Sequence, residues 1–192
     1  MPKHTTSTSL DPNELNDPND LTETILTGSH FCYLSNSGAL RRKNEDSLLL
    51  NHILLFEKEM TQPECVQLKN QRNLAVVADG LGGHSKGELA SRTVLEVLQQ
   101  LADQIIDESS LLAALKQAKQ KLDSIVREDF TLLGLGTTLA GISMEGTRTL
   151  FFNCGDCRIY RLTADKGLEK ITKDHSLVQR LVDRGRNAVS SR

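Results

Sequence analysis

Tryptophan is absent from the 192-residue chain, and aromatic residues make up only 4% of it. A core without large rings has to be filled by Leu, Ile, Val and Ala. No run of 18 apolar residues occurs, so no segment is expected to span a membrane as a helix. The opening stretch, MPKHTTSTSLDPNELNDPND, lacks the apolar centre of an export signal. A surplus of either charge is also missing: 23 Lys and Arg stand against 25 Asp and Glu, a net of −2. Bulk electrostatics therefore offers nothing to nucleic acid. Cysteines are few, at 32, 65, 154 and 157. Without an export signal they are expected to be cytosolic thiols, in a protein of the cytoplasm.

What is present suits one folded domain with a tail: 38% hydrophobic and 25% charged residues. Residues 1–28 form a separate zone with Pro2, Pro12 and Pro18 and few large apolar side chains. One lysine there faces Asp11, Glu14, Asp17, Asp20 and Glu23, a net of −4, which leaves +2 for residues 29–192. This zone is expected to be a disordered acidic tail, because it cannot bury enough apolar surface to offset its ordering entropy. A short transient helix at 20–27 is the other reading.

From Phe31 the pattern changes. Strands are expected over 31–34, within the apolar run 47–56, over 74–78 ending at Asp79-Gly80, and over 137–144, 149–153 and 158–162. Glu57 to Arg72 is polar, contains Pro63 and reads as a loop or hairpin tip. Apolar residues recur at helical spacing from Ala90 to Ile105 and again from Leu111 to Ile125, with Ser109 or Ser110 as the expected cap. A third helix is expected from Ser176 to about Arg184, ending at Gly185. Strands that follow one another without helices between them should pair antiparallel. With a segregated helix pair covering the sheet they define an α+β fold.

Four segments carry candidate chemistry. In Arg41-Arg42-Lys43-Asn44-Glu45-Asp46 a planar cation suited to phosphate precedes hard carboxylates suited to Mg²⁺ or Mn²⁺. Neighbouring side chains on a strand face opposite ways, so Glu45 and Asp46 cannot do the same job; a solvated charge run is the plain alternative. In Val77-Ala78-Asp79-Gly80-Leu81-Gly82-Gly83-His84 a buried strand delivers a carboxylate to the sheet rim. Gly80 leaves its carbonyl free to coordinate a hard cation; a flexible glycine turn is the alternative. Neither a Walker loop nor a dinucleotide fingerprint fits, since Ser85 stands where each needs glycine. Asp156 lies in the turn Gly155-Asp156, where an aspartate chosen for turn formation is the simpler reading. Cys154-x-x-Cys157 lacks a second ligand pair, Cys32 and Cys65 being isolated, and it lacks the helix start of a redox pair. In Thr172-Lys173-Asp174-His175-Ser176, Asp174 or Ser176 is expected to cap the next helix.

Taken in order, Arg41-x-x-Asn44-Glu45-Asp46, Val77-Ala78-Asp79-Gly80-Leu81-Gly82-Gly83-His84 running on to Gly87-Glu88-x-Ala90-Ser91, Gly136-Thr137-Thr138-Leu139, Gly155-Asp156-x-Arg158-x-Tyr160, Thr172-x-Asp174-His175-Ser176 and Leu181-Val182-x-x-Gly185 resemble the metal-dependent protein phosphatases of the PP2C (PPM) family in its bacterial form. The resemblance covers roughly residues 31–187 and makes 29–192 a partial domain of that kind. It implies an αββα sandwich of two antiparallel sheets flanked by helix pairs, with two Mg²⁺ or Mn²⁺ ions at one end. Asp79 would bridge the ions, the Gly80 carbonyl and Asp46 would complete their coordination, Glu45 would order a water, and Arg41 would clamp the phosphate. Asp156 would hold a third, weaker ion. The implied substrates are proteins bearing phosphoserine or phosphothreonine, made by a Ser/Thr kinase, with neither nucleic acid nor membrane as partner.

The resemblance also implies elements that residues 1–192 do not contain: a Ser-Asp-Gly-Leu type segment and an Asp-Asn pair whose aspartates complete the metal site. A truncated domain of this kind is expected to hydrolyse weakly or not at all. The alternative is a non-catalytic remnant that binds phosphoprotein.

Overall fold

A computed structural model describes residues 29–41, 43–68, 71–81, 86–176 and 179. The expected acidic tail, the glycine loop 82–85 and the expected third helix, save Ser176 and Gln179, lie outside the described residues.

The centre is a five-stranded antiparallel sheet. Its strands are β2 (Asp46–Leu50), β3 (Ile53–Phe56), β5 (Arg72–Leu81), β6 (Gly136–Glu145) and β7 (Arg148–Cys154), in the order β3-β2-β5-β6-β7. The apolar run 47–56 is thus two strands, not one. Asn51 turns the chain between them at φ 52°, a left-handed conformation that Asn tolerates better than most residues. Two further antiparallel ribbons lie apart from this sheet: β1 (Ser29–Tyr33) with β4 (Glu64–Leu68), and β8 (Tyr160–Thr163) with β9 (Gly167–Lys170). Strand β4 falls inside the polar stretch expected to be a loop or hairpin tip. Its partner β1 supplies the pairing that its own composition does not advertise.

Between β5 and β6 stand α1 (Gly87–Gln100) and α2 (Glu108–Glu128). The cap of α2 is Asp107, one of the residues the serine reading passed over. The Asp107 carboxylate accepts the Ser110 N–H at 2.8 Å, and Ser110 Oγ accepts the Asp107 N–H at 3.0 Å. That reciprocal pair satisfies two otherwise orphaned donors. Among the described residues, α1 makes the main contact with the sheet, across β2, β3, β5 and β6, while α2 packs on α1.

Strand alternation decides the faces. Leu49, Leu74, Val76, Ala78 and Leu139 meet Ala90, Val94, Leu95 and Leu98 of α1, with Ala114, Ala118 and Leu122 of α2 behind them. Each fully buried leucine contributes about 2 kcal/mol. The opposite face turns toward the ribbons across an apolar cleft of about 320 Å³ lined by Phe31, Leu48, Val77, Ile142 and Ile159. Val77 keeps 44% of its surface exposed there. The fold is α+β with antiparallel sheets, as expected. Among the described residues the second layer consists of two separate ribbons. No helix among the described residues is long and apolar enough to cross a membrane.

Two cysteine expectations are corrected. Cys32 and Cys65 are direct partners in the β1–β4 register and form a disulfide, with Cα atoms 4.0 Å apart. They are neither isolated nor thiols. Cys154 and Cys157 are free.

Candidate active site

The site lies where β2 begins and β5 ends. Antiparallel register makes Asp46 and Asp79 direct partners. Alternation sends both to the cleft face, since Ser47 and Ala78, one residue along each strand, face α1. Two carboxylates meeting in this way repel. Burial first, and then the charge of Asp79, push the Asp46 carboxyl above the ordinary range, against the pull of Arg41. Asp79 Oδ1 is buried without a hydrogen-bond partner; its nearest cation is Arg41 Nη1 at 3.9 Å. An acid pair with an unsatisfied oxygen is an arrangement that a hard divalent cation fits, because it neutralises the repulsion and occupies the orphan lone pair.

A cavity of about 490 Å³ opens over the pair and is also lined by Asn36, Asp156 and Cys157. Asp156 therefore shares the cavity with Asp46 and Asp79. Among the described residues, however, no three His, Cys, Asp or Glu side chains converge tightly enough to hold an ion. Beside this cavity a polar cleft of about 180 Å³ collects Arg41, Lys43, Glu45 and Asn44 with the same two aspartates. Arg41 is largely exposed and stands 3.7 Å from Glu45 Oε2. Lys43 Nζ stands 3.7 Å from Glu88 of α1.

Backbone and neighbours hold this end of the sheet. Thr137 Oγ1 donates to the Asp79 carbonyl at 2.8 Å. Asn44, buried, donates through Nδ2 to Ser35 Oγ and to the Lys58 carbonyl, both at 2.9 Å, and accepts the Asp46 N–H at 3.1 Å. Gly80 lies against the first residue of α1: a Cβ on Gly87 would sit 2.6 Å from the Gly80 oxygen and 2.9 Å from the Glu45 carboxyl carbon. The Asp156 turn is clamped from behind. Arg158 grips Asp174 with both ends of its guanidinium, at 3.1 and 2.6 Å, and the His175 N–H donates to the Gly155 carbonyl at 2.7 Å. Asp174 is thus spent on Arg158, and Ser176 Oγ takes the Gln179 N–H at 3.1 Å. Cys157 lies beside Thr138, 3.1 Å from its hydroxyl, and burial pushes its thiol up.

Arg41, Glu45, Asp46, Asp79 and Gly80 thus gather at one sheet end, with Asp156 across the larger cavity. Sequence reasoning quoted Asn44, Thr137 and Ser91 only as motif letters and gave them no task. Their signal was available: short polar residues inside buried segments, which need partners.

Residues 61–179 match the family described as Protein phosphatase 2C. The serine/threonine protein phosphatase PstP of Mycobacterium tuberculosis is 35% identical over 158 residues, covering 79% of this chain and 26% of PstP. The crystal structure of the PstP catalytic domain in complex with two manganese ions superposes with a TM-score of 0.62 at 32% identity, over 82% of this chain and 60% of that one. Serine/threonine phosphatase Stp1 from Staphylococcus aureus superposes with a TM-score of 0.64 at 27% identity, over 82% and 58% of the two chains. The chain belongs to the protein phosphatase 2C family. It spans about a quarter of that curated relative's length and some three fifths of the solved domains.

Proposed function

We propose that the chain is a serine/threonine phosphoprotein phosphatase acting through a divalent-cation site built on Asp46 and Asp79. The observation that carries this reading is the direct register pairing of those two carboxylates, one with a partnerless buried oxygen, at the mouth of a polar cleft. Asp46, Asp79 and the Gly80 carbonyl would hold two Mg²⁺ or Mn²⁺ ions, and Asp156 a third, weaker one. When bound, such ions make water acidic enough to supply a nucleophile at neutral pH. The protein groups do the rest. Arg41, exposed beside Glu45, presents its planar donors to the phosphate oxygens and offsets their charge. Glu45 accepts a proton or hydrogen bond from water on the Arg41 side of the cleft. Phosphoserine and phosphothreonine in proteins made by a Ser/Thr kinase are the substrates, in the cytoplasm, without nucleic acid or membrane. PstP and the Listeria welshimeri phosphatase stp, 28% identical over 165 residues, are both named serine/threonine phosphatases.

Residues 1–192 acting alone are expected to turn over weakly or not at all, because the described residues supply one close acid pair and no third His, Cys, Asp or Glu side chain converging on it. The test is Mn²⁺-dependent phosphate release from a phosphothreonine peptide, with Asp79→Asn beside the unaltered chain. Slow release that Asp79→Asn lowers at least about a hundredfold supports the enzyme. Equal rates in the two proteins overturn it. No release with peptide binding retained assigns the chain to the phosphoprotein-binding remnant instead.

A further inference from the structure

We propose that Ser91 is a positioning residue of the acid pair: its hydroxyl ties to α1 the Glu45 carbonyl that the end of β5 also bonds, and so fixes how Asp46 meets Asp79. The consequence for metal rests on the reading above; the positioning itself does not.

Ser91 lies one turn into α1 and is 0% exposed. Its Oγ is 2.7 Å from the Glu45 carbonyl oxygen, 2.9 Å from Ser47 Oγ and 3.3 Å from the Glu88 carbonyl. A hydroxyl has one proton to give. A helical serine ordinarily returns it to the carbonyl three or four residues back. Here that carbonyl, Glu88, is the more distant acceptor, and the short bond leaves the helix for Glu45. With the Ser91 proton on Glu45, its lone pairs receive the proton of Ser47, which is itself buried. The chain of donors runs Ser47 to Ser91 to the Glu45 carbonyl.

That carbonyl has a second donor, the Gly80 N–H at 3.2 Å. One oxygen therefore joins three elements: the first turn of α1, the entry to β2 and the exit of β5. Asp46 follows that carbonyl directly, and Asp79 precedes the residue that donates to it. The other side-chain bonds at this sheet end each hold one of the two aspartates alone, Asn44 through the Asp46 N–H and Thr137 through the Asp79 carbonyl. The glycines make the junction possible. A side chain on Gly80 would collide with the Gly87 carbonyl, and one on Gly87 would press on the Gly80 oxygen; either would lift α1 and draw Ser91 out of reach. A hydroxyl at 91 is not needed to fill space, since alanine suits a helix better. The bond it makes is its distinguishing property.

The experiment compares the unaltered chain with Ser91→Ala and Ser47→Ala. Ser47→Ala removes only the far donor and leaves the Ser91 bond to Glu45 in place. The first readout needs no metal: amide hydrogen exchange at Gly80 and Asp46 by NMR. Ser91→Ala is expected to speed exchange at Gly80 about tenfold, with the β6 amides unchanged and far-UV helicity retained. The second is Mn²⁺ affinity by electron paramagnetic resonance of the free ion, expected to weaken about tenfold in Ser91→Ala, as when support behind a ligand is removed. Ser47→Ala is expected to leave both near the starting values. Gly80 exchange in Ser91→Ala equal to that of the unaltered chain overturns the proposal, as does an equal effect from Ser47→Ala. An unaltered chain that takes up no Mn²⁺ sinks the proposed function, while the exchange result still decides the role of Ser91. Should Ser91→Ala fail to fold, Ser91→Cys, similar in size and a weaker donor, is read by the same exchange criterion.

Discussion

Gly80 and Gly87 let the backbone of a helix touch the backbone of a strand within one residue of the acid pair. Reading Gly80 from the sequence assigned it an unobstructed carbonyl. The structure adds a packing reason, because any Cβ there would collide with the Gly87 carbonyl. Backbone cannot move aside as a side chain can, so Gly80→Ala is expected to cost about 3 kcal/mol of stability, measured by urea denaturation. Loss of less than about 0.5 kcal/mol, the range of an unconstrained surface site, would mean that the two backbones are not in contact. The acid pair itself was half legible. Alternation was enough to separate Glu45 from Asp46, and Glu45 does stand by Gly87 while Asp46 turns to the cleft. That Asp46 would face Asp79 depends on register, which is fixed by Asn51, bonded to Leu74 of β5 through its N–H and its side-chain oxygen, and by the apolar faces of two strands whose paired aspartates lie 33 residues apart. Sequence spacing carries no such information.

Elements with strong internal periodicity were readable, and elements held by a partner were not. Strand β5 and both helices repeat apolar residues at their own period. Strand β4 has Glu64, Gln67 and a half-polar pattern, and exists because β1 runs beside it. Strand β9 is similarly short and half exposed. The 172–176 segment was read through its capping residues, yet its principal task is to clamp the turn that carries Asp156. Hydrogen bonds from Arg158 first, and then those from Lys170, hold the Asp174 carboxyl below the ordinary carboxylate range. In the unfolded chain it returns to about 3.9. A folded value lower than the unfolded one means that the stabilisation is complete above that ordinary value and is lost as pH falls through the folded value. The chain is therefore expected to lose stability on acidification below about pH 4, and Asp174→Asn is expected to flatten that limb while lowering the plateau. Thermal melts of both proteins between neutral pH and the acid limb check this. Parallel curves for the two proteins would show that Asp174 titrates alike folded and unfolded.

At the scale of the whole molecule, the β1–β4 ribbon is the part least able to stand by itself. A two-stranded ribbon is marginal in water, and this one lies apart from the central sheet across the apolar cleft. Among the described residues two things hold it, one against the neighbouring segments and one within the ribbon itself. One is the polar junction beside the site, where Met60 N–H donates to the Ser35 carbonyl at 2.9 Å and Asn44 reaches both Ser35 and Lys58. The other is the Cys32–Cys65 bridge, which spans 33 residues of sequence. Closing a loop of that length removes unfolded-state entropy worth about 4 kcal/mol. In a reducing cytoplasm such a link would be opened, so the compartment proposed above and the bridge make opposite demands on the same pair of residues. Thermal unfolding with and without reductant separates them. With the bridge intact, adding dithiothreitol is expected to lower Tm by about 10 °C, and Cys32→Ser with Cys65→Ser to reproduce the lower value without reductant. Because Ser35 and Asn44 join the ribbon to the β2 entry, the same treatment is expected to disturb the Asp46 amide while sparing β6 and β7. A Tm indifferent to reductant and to the double substitution would return Cys32 and Cys65 to the thiols that their sequence context suggested, held together by strand pairing alone.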